Sequence, residues 1–204
     1  MAKKLYFKYG AMGSSKTAQA LIAKFNYEEK GMRVWLLKPQ IDNRDGDNIL
    51  RSRIGLECAA YVVQNEEDLL ESFLKLAEKP AAIIADEAQF FSEKQIEALR
   101  DIVSFYDVPV LCFGLRTDFQ MRTFPGSRRL LELADSIEEI KTICACGAKA
   151  IVNARVDSSG KIIIHGEQIM LGGNESYVPM CYKCWRQRII DQEKRDAVNY
   201  INTI

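Results

Sequence analysis

Residues 10–17 have the sequence Gly10-Ala11-Met12-Gly13-Ser14-Ser15-Lys16-Thr17, between a predicted strand at residues 3–9 and a predicted helix that begins at Thr17. This segment resembles the phosphate-binding loop G-x-x-x-x-G-K-[ST], with Ser15 in place of the second glycine. In such a loop, backbone N–H groups at the start of the helix point at phosphate oxygens, Lys16 supplies positive charge and Thr17 can bind Mg²⁺. The alternative is a tight strand–helix turn built from small residues.

The chain after this loop alternates apolar strands with amphipathic helices. Further strands are predicted at residues 33–37, 59–63, 81–85 and 108–115. Strands that are apolar throughout are typical of a parallel sheet covered by helices on both faces. We therefore predict an α/β fold, with a parallel sheet of the P-loop NTPase type flanked by helices, up to about residue 140.

Several local signals predict where these elements begin and end. Pro39 is expected to stop the second strand. Asn65 is expected to cap one helix, and Ser92 with Gln95 forms a capping-box pattern before the next. Residues 40–55 are polar and are predicted to form a mobile loop.

The composition excludes several classes of protein. The 204 residues include 28 Lys+Arg and 28 Asp+Glu, and 48% are hydrophobic, as in an ordinary globular protein. No stretch approaches the roughly 20 apolar residues of a membrane span, and no signal-peptide pattern opens the chain. We therefore expect a cytoplasmic protein without a membrane partner. The balanced charge disfavours nucleic acid as a partner, because proteins that bind it usually carry a basic excess.

Two carboxylates follow the predicted strand at residues 81–85. A phosphate-loop kinase needs a carboxylate near its magnesium ion, usually at the end of a neighbouring apolar strand, and Asp86 and Glu87 occupy that position. Alone, such a pair is often only the polar end of an element. Together with residues 10–17, it favours binding of ATP and Mg²⁺.

The six cysteines divide into two groups. Cys58 and Cys112 stand alone and are most simply buried apolar side chains. The other four form two close pairs: Cys144 with Cys146, and Cys181 with Cys184. Four thiolates fit a tetrahedral, structural Zn²⁺, and a redox pair is the rival interpretation.

The character of the sequence changes near residues 140–143, where short β-type runs such as residues 162–164 and glycine-rich turns replace the strand–helix alternation. We predict an α/β ATP-binding domain over residues 1–141 and a small zinc-binding domain over residues 142–190. The remaining residues, 191–204, are predicted to be a polar tail that is either helical or disordered.

These features occur together in one known family. The chain resembles the thymidine kinases that carry a zinc-binding, zinc-ribbon-like lasso domain, over roughly residues 3–190. The resemblance rests on five blocks in one order: the Met12-bearing phosphate loop, Asp86-Glu87-Ala88-Gln89-Phe90-Phe91, Cys112-Phe113-Gly114-Leu115-Arg116-Thr117-Asp118-Phe119, Thr142-Ile143-Cys144-Ala145-Cys146-Gly147, and Gly172-Gly173-Asn174-Glu175-Ser176-Tyr177 leading into Cys181-Tyr182-Lys183-Cys184. Ser15 and Tyr182 depart from the family pattern.

The resemblance implies transfer of the γ-phosphoryl group of ATP to the 5′-hydroxyl of thymidine, in nucleoside salvage. Glu87 matches the general base, and Asp86 is expected to act through Mg²⁺. The implied ATP- and Mg²⁺-binding residues are Gly10, Ala11, Met12, Gly13, Ser14, Ser15, Lys16, Thr17, Asp86, Glu87, Ala88 and Gln89.

The resemblance also implies a nucleoside pocket. It consists of residues around the thymine base, two loop residues near the phosphates and a lasso tyrosine: Met12, Asp42, Arg44, Gln89, Phe90, Leu115, Phe119, Phe124 and Tyr177. Phe119 and Phe124 lie in a segment, residues 116–129, that is predicted to be a polar loop. A homotetramer and feedback binding of thymidine triphosphate (dTTP) are implied as well.

Three other functions are compatible with parts of this pattern. A phosphate-loop kinase for another nucleoside shares all of it. A zinc-ribbon ATPase that depends on nucleic acid shares the loop, the carboxylates and the cysteines, but residues 181–204 contain only five basic residues against three acidic ones. A relative that binds nucleotide without turnover is suggested by Ser15 alone.

Overall fold

The structure is a computed structural model that describes residues 3–42, 46, 48–169 and 176–201. The chain divides into two compact units. The first, here called the α/β unit, consists of Met1–Gly10, Ser14–Arg116 and Thr123–Ile140. The second, here called the cysteine unit, consists of Ala11–Gly13, Thr117–Arg122 and Lys141–Ile204.

The α/β unit is built on a parallel sheet. Its strands are β1 (Leu5–Tyr9), β2 (Val34–Pro39), β3 (Ile49–Arg51), β4 (Glu57–Ala59), β5 (Tyr61–Val63), β6 (Ala82–Ala85), β7 (Val110–Gly114) and β8 (Ser136–Glu139). In the described part of the chain, six of them form a sheet in the order β5-β2-β6-β7-β1-β8, and every neighbouring pair is parallel. β3 and β4 form a separate antiparallel pair. The predicted parallel α/β sheet is confirmed.

Helices cover both faces of this sheet. They are α1 (Lys16–Glu28), α2 (Leu69–Leu74), α3 (Glu93–Tyr106) and α4 (Pro125–Leu133), with a 3₁₀ helix at Ala88–Phe90. Alternate residues of the central strands enter two cores, so that Ile83 packs with residues of α2 and α3 while Ile84 packs with residues of α1. The carboxyl ends of parallel strands share one edge of a sheet, and Gly10, Asp86 and Leu115 therefore begin their loops at the same edge.

One predicted element end needs correction and two are confirmed. β2 ends at Pro39, its last residue, as predicted, because proline has no backbone N–H with which to continue a strand ladder. The cap of α2 is Asp68, whose Oδ1 accepts from the N–H groups of Leu70 and Glu71, so the prediction of Asn65 is wrong. The capping box before α3 is confirmed, since Ser92 and Gln95 each accept the other's backbone N–H.

Three segments have a structure that differs from the prediction. The polar segment at residues 40–55 contains β3, and the predicted strand at residues 59–63 divides into β4 and β5, which pair with different partners. Residues 116–129, predicted to be a polar loop, include the first turns of α4, which begins at Pro125. β8 was not predicted, because it is a short edge strand whose side chains are half-buried or exposed.

The cysteine unit contains a two-stranded antiparallel ladder and a helix. These are β9 (Val152–Arg155), β10 (Tyr177–Met180) and α5 (Tyr182–Ile201). The run at residues 162–164 forms only an isolated bridge, from Val156 to Ile162, instead of a strand. Among the helices of the described residues, none has both the length and the apolar composition that a membrane crossing requires.

Candidate active site and metal centre

The loop after β1 has the backbone of a strained strand–helix turn. A Cβ atom at Gly10 would lie 2.3 Å from the carbonyl oxygen of Ile140 and 2.4 Å from Ser14 Oγ, so this position requires glycine. Lys16, at the start of α1, is 8% exposed, and its Nζ donates to the Gly10 carbonyl at 3.0 Å. A cation is thus held beside the start of a helix, which is the arrangement that binds phosphate.

Ser15, which replaces the second glycine of the motif, keeps the backbone conformation that favours glycine. Its φ of 62° and ψ of 27° lie in the left-handed region, which glycine enters without steric strain. A serine pays about 1 kcal/mol there, because its Cβ approaches the carbonyl oxygen. The structure therefore keeps the backbone of the glycine-containing loop and places a strained serine in it.

Asp86 lies at the carboxyl end of β6 and is buried. Its Oδ2 accepts a hydrogen bond from Thr17 Oγ1 at 2.7 Å, while its Oδ1 is buried and has no hydrogen-bond partner among the described residues. Burial, and secondarily the negative charge of Glu87, raise the pKa of Asp86 to about 7. A cation at Oδ1 would complete the coordination of this carboxylate, so the residues fit a Mg²⁺ that also contacts Thr17.

Glu87 follows directly and has an unusual backbone. Its φ of 49° and ψ of 37° are left-handed, a strained conformation that is common at functional sites. Its half-buried side chain accepts a hydrogen bond at Oε2 from Gln89 Nε2, at 2.5 Å. Gln89 Oε1 in turn accepts the backbone N–H of Leu115 at 2.9 Å. The α/β unit therefore brings together Lys16, Thr17 and Asp86, and it connects Glu87 with Gln89 and Leu115.

The other predicted nucleoside-binding residues are distributed over both units. Within the α/β unit, the rings of Phe90 and Phe124 make an edge-to-face contact with centroids 5.5 Å apart. Asp42 is buried near Lys38, with 3.9 Å between Oδ2 and Nζ. Arg44 lies outside the described residues. Met12, Phe119 and Tyr177 belong to the cysteine unit.

Arg155 organises the aromatic residues of the cysteine unit. It is 3% exposed, and its guanidinium donates to the Tyr177 hydroxyl at 2.9 Å and 2.6 Å and to the Glu167 carbonyl at 3.0 Å. Its guanidinium carbon lies 3.8 Å from the centroid of the Phe119 ring. One buried cation therefore fixes a tyrosine, an aromatic ring and a backbone segment.

Three further residues were not identified from the sequence. Asn153 accepts the backbone N–H of Met12 at 2.8 Å and donates to the Thr117 carbonyl at 2.9 Å. Buried Lys38 donates to the carbonyls of Gly46 and Ile49, at 3.2 Å and 2.8 Å. A charged residue inside the apolar run of β2 was a signal for Lys38. Asn153 and Arg155 gave no comparable signal, because polar residues in a short strand usually face solvent.

The four paired cysteines form one cluster in the cysteine unit. All four Sγ atoms lie within 4.8 Å of one another, and those of Cys146 and Cys181 are 3.7 Å apart. A tetrahedral zinc with Zn–S bonds of about 2.3 Å places its sulfur atoms about 3.8 Å apart. The cluster therefore fits a structural Zn²⁺.

Two of these thiols have acidities that shift in opposite directions. The backbone N–H groups of Cys146 and Cys181 hold the pKa of Cys144 at about 6. The hydrogen bonds with Cys146 and Cys181 raise the pKa of Cys184 to about 12. A divalent cation relieves the repulsion among neighbouring thiolates and keeps all four ionised. Cys112, by contrast, is fully buried in the α/β core, as predicted, while Cys58 is only half-buried.

The sequence of the chain matches one protein family over most of its length. A family model described as "Thymidine kinase" matches residues 3–185. A thymidine kinase of Legionella pneumophila is 45% identical over 181 residues, covering 87% of each chain. One of Shewanella oneidensis is 43% identical over 92% of this chain and 98% of its own, and one of Streptococcus gordonii is 46% identical over 88% and 94%.

Among solved structures, the ATPase DotB of Legionella pneumophila has a TM-score of 0.38 and 19% identity, over 73% of this chain and 44% of that chain. This chain spans less than half of DotB, and the likeness is too low to bear on function. The match to the family model and the identity with the three kinases do establish family membership, because they extend over most of the sequence. The chain belongs to the thymidine kinase family.

Proposed function

We propose that this protein is a thymidine kinase, which transfers the γ-phosphoryl group of ATP to the 5′-hydroxyl of thymidine. Membership of the family and the names of the related proteins support this activity. The observation that carries it is the buried Asp86, hydrogen-bonded to Thr17 and followed at once by the Glu87 carboxylate. A metal–phosphate site is thus adjacent in the chain to a group that can accept a proton.

The phosphate loop is proposed to bind and orient ATP. The backbone of residues 10–17 would contact the phosphates, with Lys16 as a point charge, while Thr17 and Asp86 would hold Mg²⁺. A bound Mg²⁺ neutralises charge on the phosphates during transfer. Because phosphoryl transfer depends mainly on positioning and charge neutralisation, these contacts supply most of what the protein must contribute.

Glu87 is proposed as the general base. The 5′-oxygen of thymidine forms a bond to the γ-phosphorus while the bond from that phosphorus to the bridging oxygen of ADP breaks. The hydroxyl proton passes to the Glu87 carboxylate, which a nearby hydrogen-bond donor keeps oriented. Charge and atoms balance, with ADP and thymidine monophosphate as products.

The nucleoside is proposed to contact the residues predicted for it. In the α/β unit these are Asp42, Arg44, Phe90, Leu115 and Phe124, and in the cysteine unit Met12, Phe119 and Tyr177. Gln89, which was predicted with them, is buried and is not included among these contacts. Within the α/β unit, the Phe90–Phe124 contact supports an apolar surface for a pyrimidine. Within the cysteine unit, the hydrogen bond from Arg155 fixes the Tyr177 hydroxyl. Packing against a 5-methyl group discriminates by only about 1–3 kcal/mol.

Zn²⁺ is proposed to be structural, bound by Cys144, Cys146, Cys181 and Cys184, with no free position for chemistry. The domain limits at residues 141 and 190, the cytoplasmic location, the homotetramer and the feedback binding of dTTP stay predictions. Each follows from family membership or from composition rather than from the geometry of the site.

The test is ATP-dependent phosphorylation of a panel of nucleosides by the protein and by its Glu87→Gln variant. We expect thymidine to be phosphorylated, and kcat to fall by about 10²–10⁴-fold in the variant, because the base is lost. Glu78→Gln, an exposed carboxylate paired with Arg33, is the matched control and should keep full activity. A folded protein that phosphorylates another nucleoside but not thymidine would contradict the proposal.

A further inference from the structure

Gln89 is buried between the strand end that carries Leu115 and the carboxylate of Glu87. It is 1% exposed, and both ends of its amide make hydrogen bonds inside the α/β unit. The packing of the surrounding backbone fixes the position of Gln89. The 3₁₀ helix that contains it packs against the first turn of α4, where a Cβ at Gly126 would lie 2.6 Å from the carbonyl oxygens of Ala88 and Phe91.

The orientation of this amide is fixed by its surroundings. The backbone N–H of Leu115 can only donate, so the atom facing it must be Oε1, and the NH₂ group must face Glu87. Leu115 is itself fixed, because its carbonyl accepts from the buried Ser127 Oγ at 2.5 Å. A hydrogen-bonded chain thus runs from Ser127 through Leu115 and Gln89 to the Glu87 carboxylate.

The space around the amide is equally restricted. A Cβ at Gly114 would lie 2.7 Å from Gln89 Oε1 and 3.2 Å from its backbone nitrogen. Glycine at this last residue of β7 is therefore needed for Gln89 to reach Leu115. Glu87, which has a left-handed backbone and a half-buried side chain, gains from Gln89 a donor that selects one rotamer.

We propose that Gln89 is a positioning residue that holds the Glu87 carboxylate in the orientation required for proton abstraction, rather than a contact of ATP or thymidine. The proposal rests on the proposed role of Glu87 as the base. It reassigns Gln89, which the family resemblance placed among the nucleotide- and nucleoside-binding residues. The polar atoms of the side chain already bond to the protein, and almost none of its surface is accessible to a ligand.

The test compares steady-state kinetics of Gln89→Met and Gln89→Glu with those of the parent. Methionine keeps the volume and removes both hydrogen bonds, whereas glutamate keeps an acceptor for Leu115 but has no donor for Glu87 when ionised. We expect kcat to fall by about 10- to 100-fold in both variants, because misplacing a catalytic group by about 1 Å has effects of this size. The KM values for ATP and thymidine should change by less than about twofold, because neither variant removes a contact with a bound substrate.

The decisive arm is a double-mutant cycle with Glu87→Gln, measured by transfer of radiolabelled phosphate. If Gln89 acts only through Glu87, Gln89→Met should cause no further loss in the Glu87→Gln background. Losses that multiply, or a KM increase with unchanged kcat, would overturn the proposal. Gln95→Met is the matched control, because this buried glutamine caps α3, and its loss should lower thermal stability without lowering kcat.

The two proposals fail in different ways. A parent that does not phosphorylate thymidine would refute the proposed function. A Glu87→Gln variant with full activity would refute the role of Glu87 as the base and, with it, the role of Gln89. If the parent is active and Glu87→Gln is impaired while Gln89→Met and Gln89→Glu keep the parent's kcat, only the positioning role is refuted.

Discussion

The Asp86 carboxylate lies in an environment that disfavours its charged form. It is buried, it adjoins Glu87 in the chain, and one of its oxygens has no partner among the described atoms. Burial raises its pKa to about 7, above the ordinary value of 3.8. A buried carboxylate without a cation destabilises the folded protein, and a bound cation would offset this cost.

Asp86→Asn is therefore expected to stabilise the protein in the absence of Mg²⁺ and nucleotide, increasingly so as the pH rises. Below about pH 3.8, Asp86 is protonated in both the folded and the unfolded protein, and it carries no burial penalty. As the pH rises from about 3.8 to about 7, the unfolded protein loses this proton first, so the free energy of unfolding of the parent falls. The free energy of unfolding should shift in favour of the variant by about 1.4 kcal/mol per pH unit in that window.

Thermal unfolding at pH 5 and pH 8 measures this shift, with the exposed Asp101→Asn as control. Adding Mg²⁺ and ATP should stabilise the parent and leave the variant almost unchanged. A difference in Tm between variant and parent that is the same at both pH values would contradict the assignment.

Ser15→Gly is expected to relieve the left-handed strain in the phosphate loop. The substitution should raise the free energy of unfolding by up to about 1 kcal/mol, and hence Tm by about 2–4 °C. The variant should still bind ATP. Ser104→Gly, in the ordinary helical backbone of α3, should have the opposite sign. Thermal denaturation of both variants checks the prediction, and a destabilised Ser15→Gly would show that serine makes an interaction that outweighs its strain.

Among the elements, we expect β9 to connect packing with substrate binding, because its Arg155 contacts the proposed nucleoside-binding residues Tyr177 and Phe119. Arg155→Met should raise the KM for thymidine by at least about tenfold and leave the KM for ATP unchanged, because Tyr177 and Phe119 lose their common contact. The free energy of unfolding should fall by about 2 kcal/mol, since hydrogen bonds from a buried cation are lost. Nucleoside kinetics measures the first effect, with the exposed Arg188→Met of α5 as control. A thymidine KM equal to that of the parent would exclude this role for β9.

The elements that the sequence predicted are those whose pattern is local. Runs rich in apolar residues marked β1, β2, β6 and β7, because the strands of a parallel sheet are largely buried on both faces. β8 and β10 escaped prediction because their stability comes from a neighbouring strand rather than from their own composition. The cap of α2 was placed three residues too early, because Asn65 and Asp68 are both good caps and only the path of the chain selects between them.

The candidate site followed the same rule. Lys16, Thr17, Asp86 and Glu87 belong to short motifs with a fixed order, and motif chemistry was enough to identify them. The roles of Gln89 and Arg155 depend on residues 26 and 22 positions away, Leu115 and Tyr177. Such contacts exist only after folding, and no local pattern encodes them.

At the scale of the whole molecule, the chain combines an α/β unit with a cysteine unit that a metal is proposed to stabilise. Protein purified without chelator should contain about one zinc per chain, and Cys181→Ser should reduce this ratio to near zero. Elemental analysis measures the ratio, and Cys58→Ser, outside the cluster, is the control. A parent ratio near zero would reject the zinc site and favour a redox role for the cysteines.

Transfer of phosphate from ATP to thymidine is measured most directly by the stoichiometry of the products. Purified protein incubated with ATP, Mg²⁺ and thymidine should yield thymidine 5′-monophosphate and ADP in a ratio of one to one, with no ADP when thymidine is omitted. ADP formed without the nucleoside monophosphate, or formed only when nucleic acid is added, would contradict the proposed thymidine kinase activity.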